Sequence, residues 1–320
     1  MTQVYNRVGQ FGWSALLEAT TGASPGSTYF VNSASGNAAN TVDSGQGDSW
    51  DAPFSTVNYA VSRCVSGAGD TIFIAAGHTE TITGTGTASG TTTSQLVIDK
   101  AAVSIIGLGT GTRRPTFTFG TATTAVIDVL TAASNVTIKN ILCIGNLEDL
   151  GSFIEAAAGS DGLLIEDCEF RDGGTAILEV LDMIQLAANC DDVTIRGCRF
   201  LSTAAGSSSL TAVDCVGAIA RLTFEDNIAI GDWNTSVLEN SVGVGANVVI
   251  RNNHLNNLDA VAGLCINLNA GSTGVIIGNY LHGGLNGTSP LATTAALAGD
   301  NYYSNAEAAS AGILTPAVDT

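Results

Sequence analysis

Seven short apolar segments recur along this chain at nearly constant intervals, and a recurrence of that length is the feature that most limits the fold. They are Val103-Ser104-Ile105, Val136-Thr137-Ile138, Leu163-Leu164-Ile165, Val193-Thr194-Ile195, Leu222-Thr223-Phe224, Val248-Val249-Ile250 and Val275-Ile276-Ile277. Their third residues are separated by 33, 27, 30, 29, 26 and 27 positions. A period of roughly 20–50 residues marks a solenoid, a propeller or another repeat array. One short strand set per repeat, with Gly and Asn at the corners, predicts an all-β, right-handed parallel β-helix. A second apolar register precedes most of these rungs by eleven residues, at Ile127, Ile154, Ile184, Val213 and Ile266. Each is followed by a polar residue (Asp128, Glu155, Gln185, Asp214, Asn267), the alternation of a half-buried strand. Leu238-Glu239 falls one residue early, and a β-bulge is expected to absorb the offset.

Stacking equivalent residues of successive coils about 4.8 Å apart turns the repeat into predicted contacts. The column two positions beyond each rung centre reads Gly107, Asn140, Asp167, Gly197, Asp226, Asn252 and Asn279, all residues suited to a corner. One residue earlier it reads Lys139, Glu166, Arg196, Glu225 and Arg251, with alternating sign. Like charges on adjacent strands repel and opposite charges attract by ~0.2–1 kcal/mol, so this column fixes the register. Glu169 and Arg199 form a second such pair. Three positions beyond the centre, Cys168 stacks over Cys198 and Asn227 over Asn253, which predicts an interior thiol pair and an asparagine ladder.

The remaining segments fit around that core. Residues 1–27 lie outside the repeat and read as an arm for attachment. Residues 28–283 form the solenoid, and 284–320 form a terminal cap or tail. An amphipathic helix over about 52–66 places Phe54, Val57, Val61, Cys64 and Val65 on one face, with Asp51 as its cap. A β-helix exposes unpaired strand edges at its ends, and this helix is placed to cover the first one.

Composition excludes several classes of function. Formal net charge is −18 although only 12% of residues are charged, because the chain has just 11 Lys and Arg. That is too few to neutralise a nucleic-acid backbone or to hold an anionic membrane. The start of the chain has no basic segment followed by an apolar core, so no secretory signal is expected. The seven cysteines form no CxxC pair and predict free buried thiols, in keeping with folding in a host cytoplasm.

Catalytic constellations are not legible. Asp191-Asp192 and Glu166-Asp167 are adjacent carboxylates, but neighbouring strand residues face opposite ways, and the charge ladder accounts for Glu166. His78, His254 and His282 are scattered. Asp43, Asp48 and Asp51 concentrate three carboxylates in one loop and are the candidate calcium ligands, although their spacing does not match an EF-hand. No catalytic residue and no cofactor is assigned.

Tyr29-Phe30-Val31-Asn32, Trp50 to Val57 and Gly69 to His78, with Ile106-Gly107-Leu108-Gly109 and the later rungs, resemble right-handed parallel β-helix proteins of the pectate-lyase-like superfamily. Gly77-His78-Thr79-Glu80-Thr81-Ile82 together with Gly107 to Pro115 is similar to β-helix proteins encoded among the virion genes of tailed bacteriophages. Superfamily enzymes use calcium-binding aspartates with a catalytic Arg, or sets built on Asn-Thr-Asp, Asp-Asp, Gly-His-Gly and Arg-Ile-Lys. Only Asp191-Asp192 echoes these, so no catalytic role is carried over. The resemblance implies a non-enzymatic virion structural protein, a capsid decoration or head fibre, assembled as a homotrimer and joined to capsid proteins through residues 1–27. The alternative is a tailspike depolymerase or glycan-binding receptor protein acting on a host surface glycan. Such a protein needs acids and aromatics along one sheet face, whereas the outward columns are expected to be Thr-rich or charge-paired.

Overall fold

Within each coil the chain makes three short strands separated by turns that bend it from one sheet to the next, and each strand pairs in parallel with its counterparts one coil away. Residues Leu150–Ala156, Leu164–Glu166 and Glu169–Arg171 show the pattern. They belong to three sheets, here sheet C (eight strands), sheet A (ten) and sheet B (ten) in chain order. The computed structural model describes residues 26–34, 47–84, 86, 88–90, 96–174, 178–202, 209–259, 263–283, 290–293, 296–304 and 312–314. The predicted arm, residues 1–27, lies almost wholly outside them. The architecture is a parallel β-helix, as the repeat requires.

The rungs stack as the spacing predicts: Ile105, Ile138, Ile165, Ile195, Phe224, Ile250 and Ile276 are register partners in sheet A. The last differs from expectation by one residue. Ile276 faces the core and Ile277 is 39% exposed. All three residues of Val275-Ile276-Ile277 are β-branched, so hydrophobicity cannot say which points inward, and a one-residue slip exchanges the faces. In sheet C, Ile127, Ile154, Ile184, Val213, Leu238 and Ile266 align without a bulge. The extra residue expected there is taken up in the following turn, where Ile219–Ala220 and Gly245–Ala246 form a small separate sheet. Phe119, Phe153, Phe170, Phe200 and Phe224 run up the interior with centroid separations of 5.1–6.3 Å.

Two sets of corners turn the chain. Between sheets A and B, Asn140, Asp167, Gly197, Asp226, Asn252 and Gly278 have φ between 54° and 69°. Gly107 does not share this conformation. A Cβ there would lie 2.2 Å from the Asn140 carbonyl oxygen, so close approach of the next coil requires the glycine. Between sheets C and A the left-handed residues other than glycine are Ala102, Asn135, Asn189, Asp192, Arg221 and Asn247 among the described residues. This second set was not expected, because Ala and Arg are not turn formers.

Immediately after the first corner lies the asparagine ladder, which extends beyond the predicted pair to Asn227, Asn253, Asn279 and Asn301. Each Oδ1 accepts from the backbone N–H of the coil before it: Cys198 (2.9 Å), Asn227 (2.9 Å), Asn253 (2.9 Å) and Asn279 (3.0 Å). Each Nδ2 donates to a buried carbonyl, of Ile195, Phe224, Ile250 and Ile276 respectively. The turn would otherwise leave these backbone groups unpaired inside the coil, so the side chains replace missing ladder bonds.

Helix α1 (Val57–Arg63) covers the first end. It is shorter than the expected span, and Thr56 rather than Asp51 is its N-cap, accepting from the Tyr59 N–H. Phe54 is extended and bridges Val31, while Val65 is 64% exposed and leaves the apolar face. Buried Glu80 moors the helix: its Oε2 accepts from the Val57 N–H (3.0 Å) and lies 3.1 Å from His78 Nε2. The Ser33 N–H donates to His78 Nδ1, which places the ring proton on Nε2, toward Glu80. Asn58 Oδ1 accepts from Val97 N–H on the first edge strand of sheet C. At the other end, coiling continues past residue 283 through Leu291–Ala292, Leu297–Gly299 and Asn301–Ser304, and Gly312–Leu314 then pairs antiparallel to the last. These strands are short and built on Ala, Gly, Asn and Tyr, so the apolar period hides them.

Asn253→Ala is expected to destabilise the fold by about 3 kcal/mol or more, since it orphans the Asn227 N–H and the Phe224 carbonyl inside the stack. Asn247→Ala, at an exposed left-handed corner, is expected to lose only ~1 kcal/mol. Urea midpoints of the two variants against the parent check the contrast.

Candidate functional site: the outer face of sheet C

The charge column of sheet A is assembled from adjacent coils. Lys139 Nζ lies 2.7 Å from Glu166 Oε2, Arg196 lies 2.9 Å from Glu166 Oε1, and Arg251 lies 2.5 Å from Glu225. Glu225 is the register partner of both Arg196 and Arg251, and the hydrogen bond goes to Arg251. The neighbouring cations hold the Glu166 carboxyl below its usual range against the opposing effect of burial. Glu169 and Arg199 are register partners, yet no ion pair joins them. Glu169 is held instead by Arg114 at 3.1 Å and by Arg171.

The other sequence-level candidates are dispersed. Cys168 and Cys198 are both buried and free, and each thiol donates to backbone carbonyls. Burial pushes the thiols of Cys64, Cys215 and Cys265 up to about 12, which leaves them un-ionised at neutral pH. Asp191 and Asp192 sit at the corner between sheets C and A. Asp191 accepts from the Ala220 N–H and Asp192 pairs with Arg221, so both serve the turn. Of the calcium candidates, Asp48 and Asp51 are exposed and Asp43 lies outside the described residues. Among the described residues no group of three His, Cys, Asp or Glu is placed to hold a metal ion.

A different face of the solenoid gathers the titratable groups. The outward column of sheet C runs Asp128, Glu155, Gln185, Asp214, Glu239 and Asn267 through successive register pairs. A flanking column on the same sheet runs Ser152, Asp182, Thr211 and Ser236. The six strands involved contain five carboxylates and no Lys or Arg. This face is therefore neither Thr-rich nor charge-paired, contrary to expectation. The signal was available as the absence of any base between residues 211 and 220 or 236 and 250, but simple alternation explained the acids and hid it.

Hydrogen bonds order the row into two supported carboxylates with a third between them. Asp182 accepts from Thr211 Oγ1 (2.8 Å) and Gln185 Nε2 (3.3 Å). Glu239 accepts from Ser236 Oγ (2.8 Å), Asn267 Nδ2 (3.0 Å) and the Ser241 N–H (3.1 Å). Burial, reinforced by the charges of Asp182 and Glu239, raises Asp214 to about 7. Burial likewise raises Glu155, with Asp128 adding to it, and Asp182, with Glu239 adding to it. The face thus holds an exchangeable proton near neutrality beside hydrogen-bonded carboxylates. Chemically it can donate and accept at neighbouring points about one coil spacing apart.

No protein-family profile matches the chain. No curated protein matches it either. Two solved structures are similar to it at a distance. A rhamnogalacturonan lyase aligns with TM-score 0.43 and 18% identity, over 87% of this chain and 69% of that one. A GH136 lacto-N-biosidase from Eubacterium ramulus aligns with TM-score 0.40 and 12% identity, over 87% and 67%. At that distance the likeness concerns the coil alone and transfers no chemistry.

The acid row sets a pH dependence of stability. Asp214 has an ordinary carboxyl value of 3.8 when unfolded and about 7 when folded. The folded state therefore keeps a proton that the unfolded chain releases, and stability falls as pH rises from about 4 to about 7. Glu166, whose carboxyl is lowered, works oppositely and loses its contribution only as pH drops below about 4. Asp214→Asn is expected to raise stability at pH 8 by ~1–2 kcal/mol after allowance for solvent screening, with little change at pH 4. Denaturant titrations of parent and variant at the two pH values read it.

Proposed function

We propose that the chain is a non-enzymatic structural protein of a bacteriophage particle, displayed on its surface as a capsid decoration or head fibre. The observation in its favour is where the virion-protein resemblance falls. Residues 77–82 and 107–115, which bear it, lie against one another: the Gly77 N–H donates to the Arg113 carbonyl (2.7 Å), and Thr116, directly after the second stretch, donates its N–H to the His78 carbonyl (2.9 Å). The same stretch contains the His78–Glu80 pair that moors α1. The likeness is thus concentrated in the part that closes the coil stack, away from the titratable row. A stack in which each coil is hydrogen-bonded to its neighbours suits a particle that must resist unfolding outside the cell. In this reading residues 1–27 join the protein to the capsid, and copies associate as a homotrimer.

A second reading has a specific observation behind it. Asp214, raised to about 7, lies among carboxylates that accept hydrogen bonds, and an acid beside a carboxylate is the pairing used in glycoside hydrolysis. On this reading the sheet C face binds or cleaves a host glycan.

Antibody labelling of purified particles under the electron microscope is expected to place the protein on the head. Its absence from particles defeats the first reading. Incubation with host polysaccharide is expected to release no reducing sugar. Release that disappears in Asp214→Asn establishes the second.

A further inference from the structure

The corner between sheets A and B has the opposite charge character from sheet C. Six of the chain's eleven Lys and Arg gather there, Arg114, Lys139, Arg171, Arg196, Arg199 and Arg251, against five acids, Glu166, Asp167, Glu169, Glu225 and Asp226. Six positive charges against five negative leaves an excess of one cation in a chain of net charge −18. The hydrogen bonds show which cation is left over. Glu166 receives Lys139 on one oxygen and Arg196 on the other. Glu169 receives Arg114 on one oxygen and Arg171 on the other. Arg199 stands next to Glu169 in the register and finds both oxygens taken. Among the described residues its side chain makes no ion pair and no hydrogen bond, and it is exposed.

Arg199 borders a cavity of about 360 Å³, together with Thr110, Arg114, Lys139, Asn140 and Asp167. Gly107 and Gly197 leave its wall without side chains. Arg114 spends Nε on Asn140 and Nη1 on Glu169, so its second terminal nitrogen remains available. Lys139 is engaged by Glu166 and, at 3.4 Å, by Asp167. A guanidinium with no counter-ion beside a second one partly free is the donor set that recognises a planar or tetrahedral oxyanion.

We propose that this cavity binds one oxyanion group, a carboxylate, sulfate or phosphate, with Arg199 as its principal partner and Arg114 as the second. The group arrives either as a free inorganic ion or on a unit of an acidic glycan. The site is independent of the virion reading and of the sheet C row.

Calorimetric titration of the full chain at low ionic strength tests it, with sodium sulfate, an oligogalacturonate and a neutral glucan oligomer as probes. Saturable binding of sulfate or oligogalacturonate is expected, weakened about tenfold or more in Arg199→Ala by loss of a charge-assisted contact. It should be unchanged in Arg221→Ala, whose guanidinium pairs with Asp192 at another corner. Sulfate alone sufficing identifies a free-ion site; only the oligomer binding identifies a glycan-borne group. Equal affinity of parent and Arg199→Ala overturns the proposal, as does neutral glucan binding as tightly, or no saturable heat with either anion. Arg199 is exposed, so its alanine variant should retain the parent's thermal melt.

Discussion

Coil-to-coil register is the constraint from which the rest of this molecule follows. Parallel pairing brings each residue within about 4.8 Å of its equivalent in the next coil, so a residue's neighbours are largely its counterparts. Apolar counterparts interdigitate, as in the phenylalanine column from Phe119 to Phe224. Polar counterparts must find a way to live with repetition. Corners break the backbone ladder, and the asparagine column from Asn227 to Asn301 restores it with side-chain amides that donate and accept along the same axis. An amide suits this because a single side chain carries both functions, which a carboxylate or an ammonium group does not.

Charge repeats pose the same problem in sharper form, and two answers appear on different faces. Sheet A alternates sign, so stacking converts repulsion into the Lys139–Glu166–Arg196 contacts. Sheet C stacks acids with no base on the strands, and its answer is a proton retained by Asp214. Burial places the proton there, the charges of Asp182 and Glu239 reinforce it, and among the described residues no hydrogen-bond donor to the Asp214 carboxylate opposes it. One architecture thus produces opposite pH responses from its two faces.

How much of this was legible depended on whether the signal was periodic. The rungs from Ile105 to Ile250, the Lys139–Arg251 column and the Asn227–Asn253 pair repeat, and repetition allowed one alignment to predict many contacts. Ile276 was misplaced because its neighbours are equally β-branched, and with it Asn279 was assigned to the corner instead of the ladder. Arg221 and Ala102 adopt left-handed corners that their side chains do not advertise. The last coil was missed because Ala298 stands where the coil before it has Ile276, and Tyr303 where it has Leu281. The partnering of Glu169 was beyond reach, since Arg114 lies 55 residues away and enters from a loop outside the repeat.

That last case shows how a loop can break the electrostatic balance that a solenoid otherwise enforces. Register alone would match Glu169 with Arg199 as it matches Lys139 with Glu166. The segment from Thr110 to Arg114 inserts an additional guanidinium at that point and displaces the register partner. The displaced charge cannot move to another coil, because the strand that bears it is fixed by backbone pairing on both sides. It remains at the surface, beside a cavity whose walls Gly107 and Gly197 keep clear. A repeat fold gains individuality in this way: the coils supply the scaffold, and the departures from periodicity determine where an external group has something to meet.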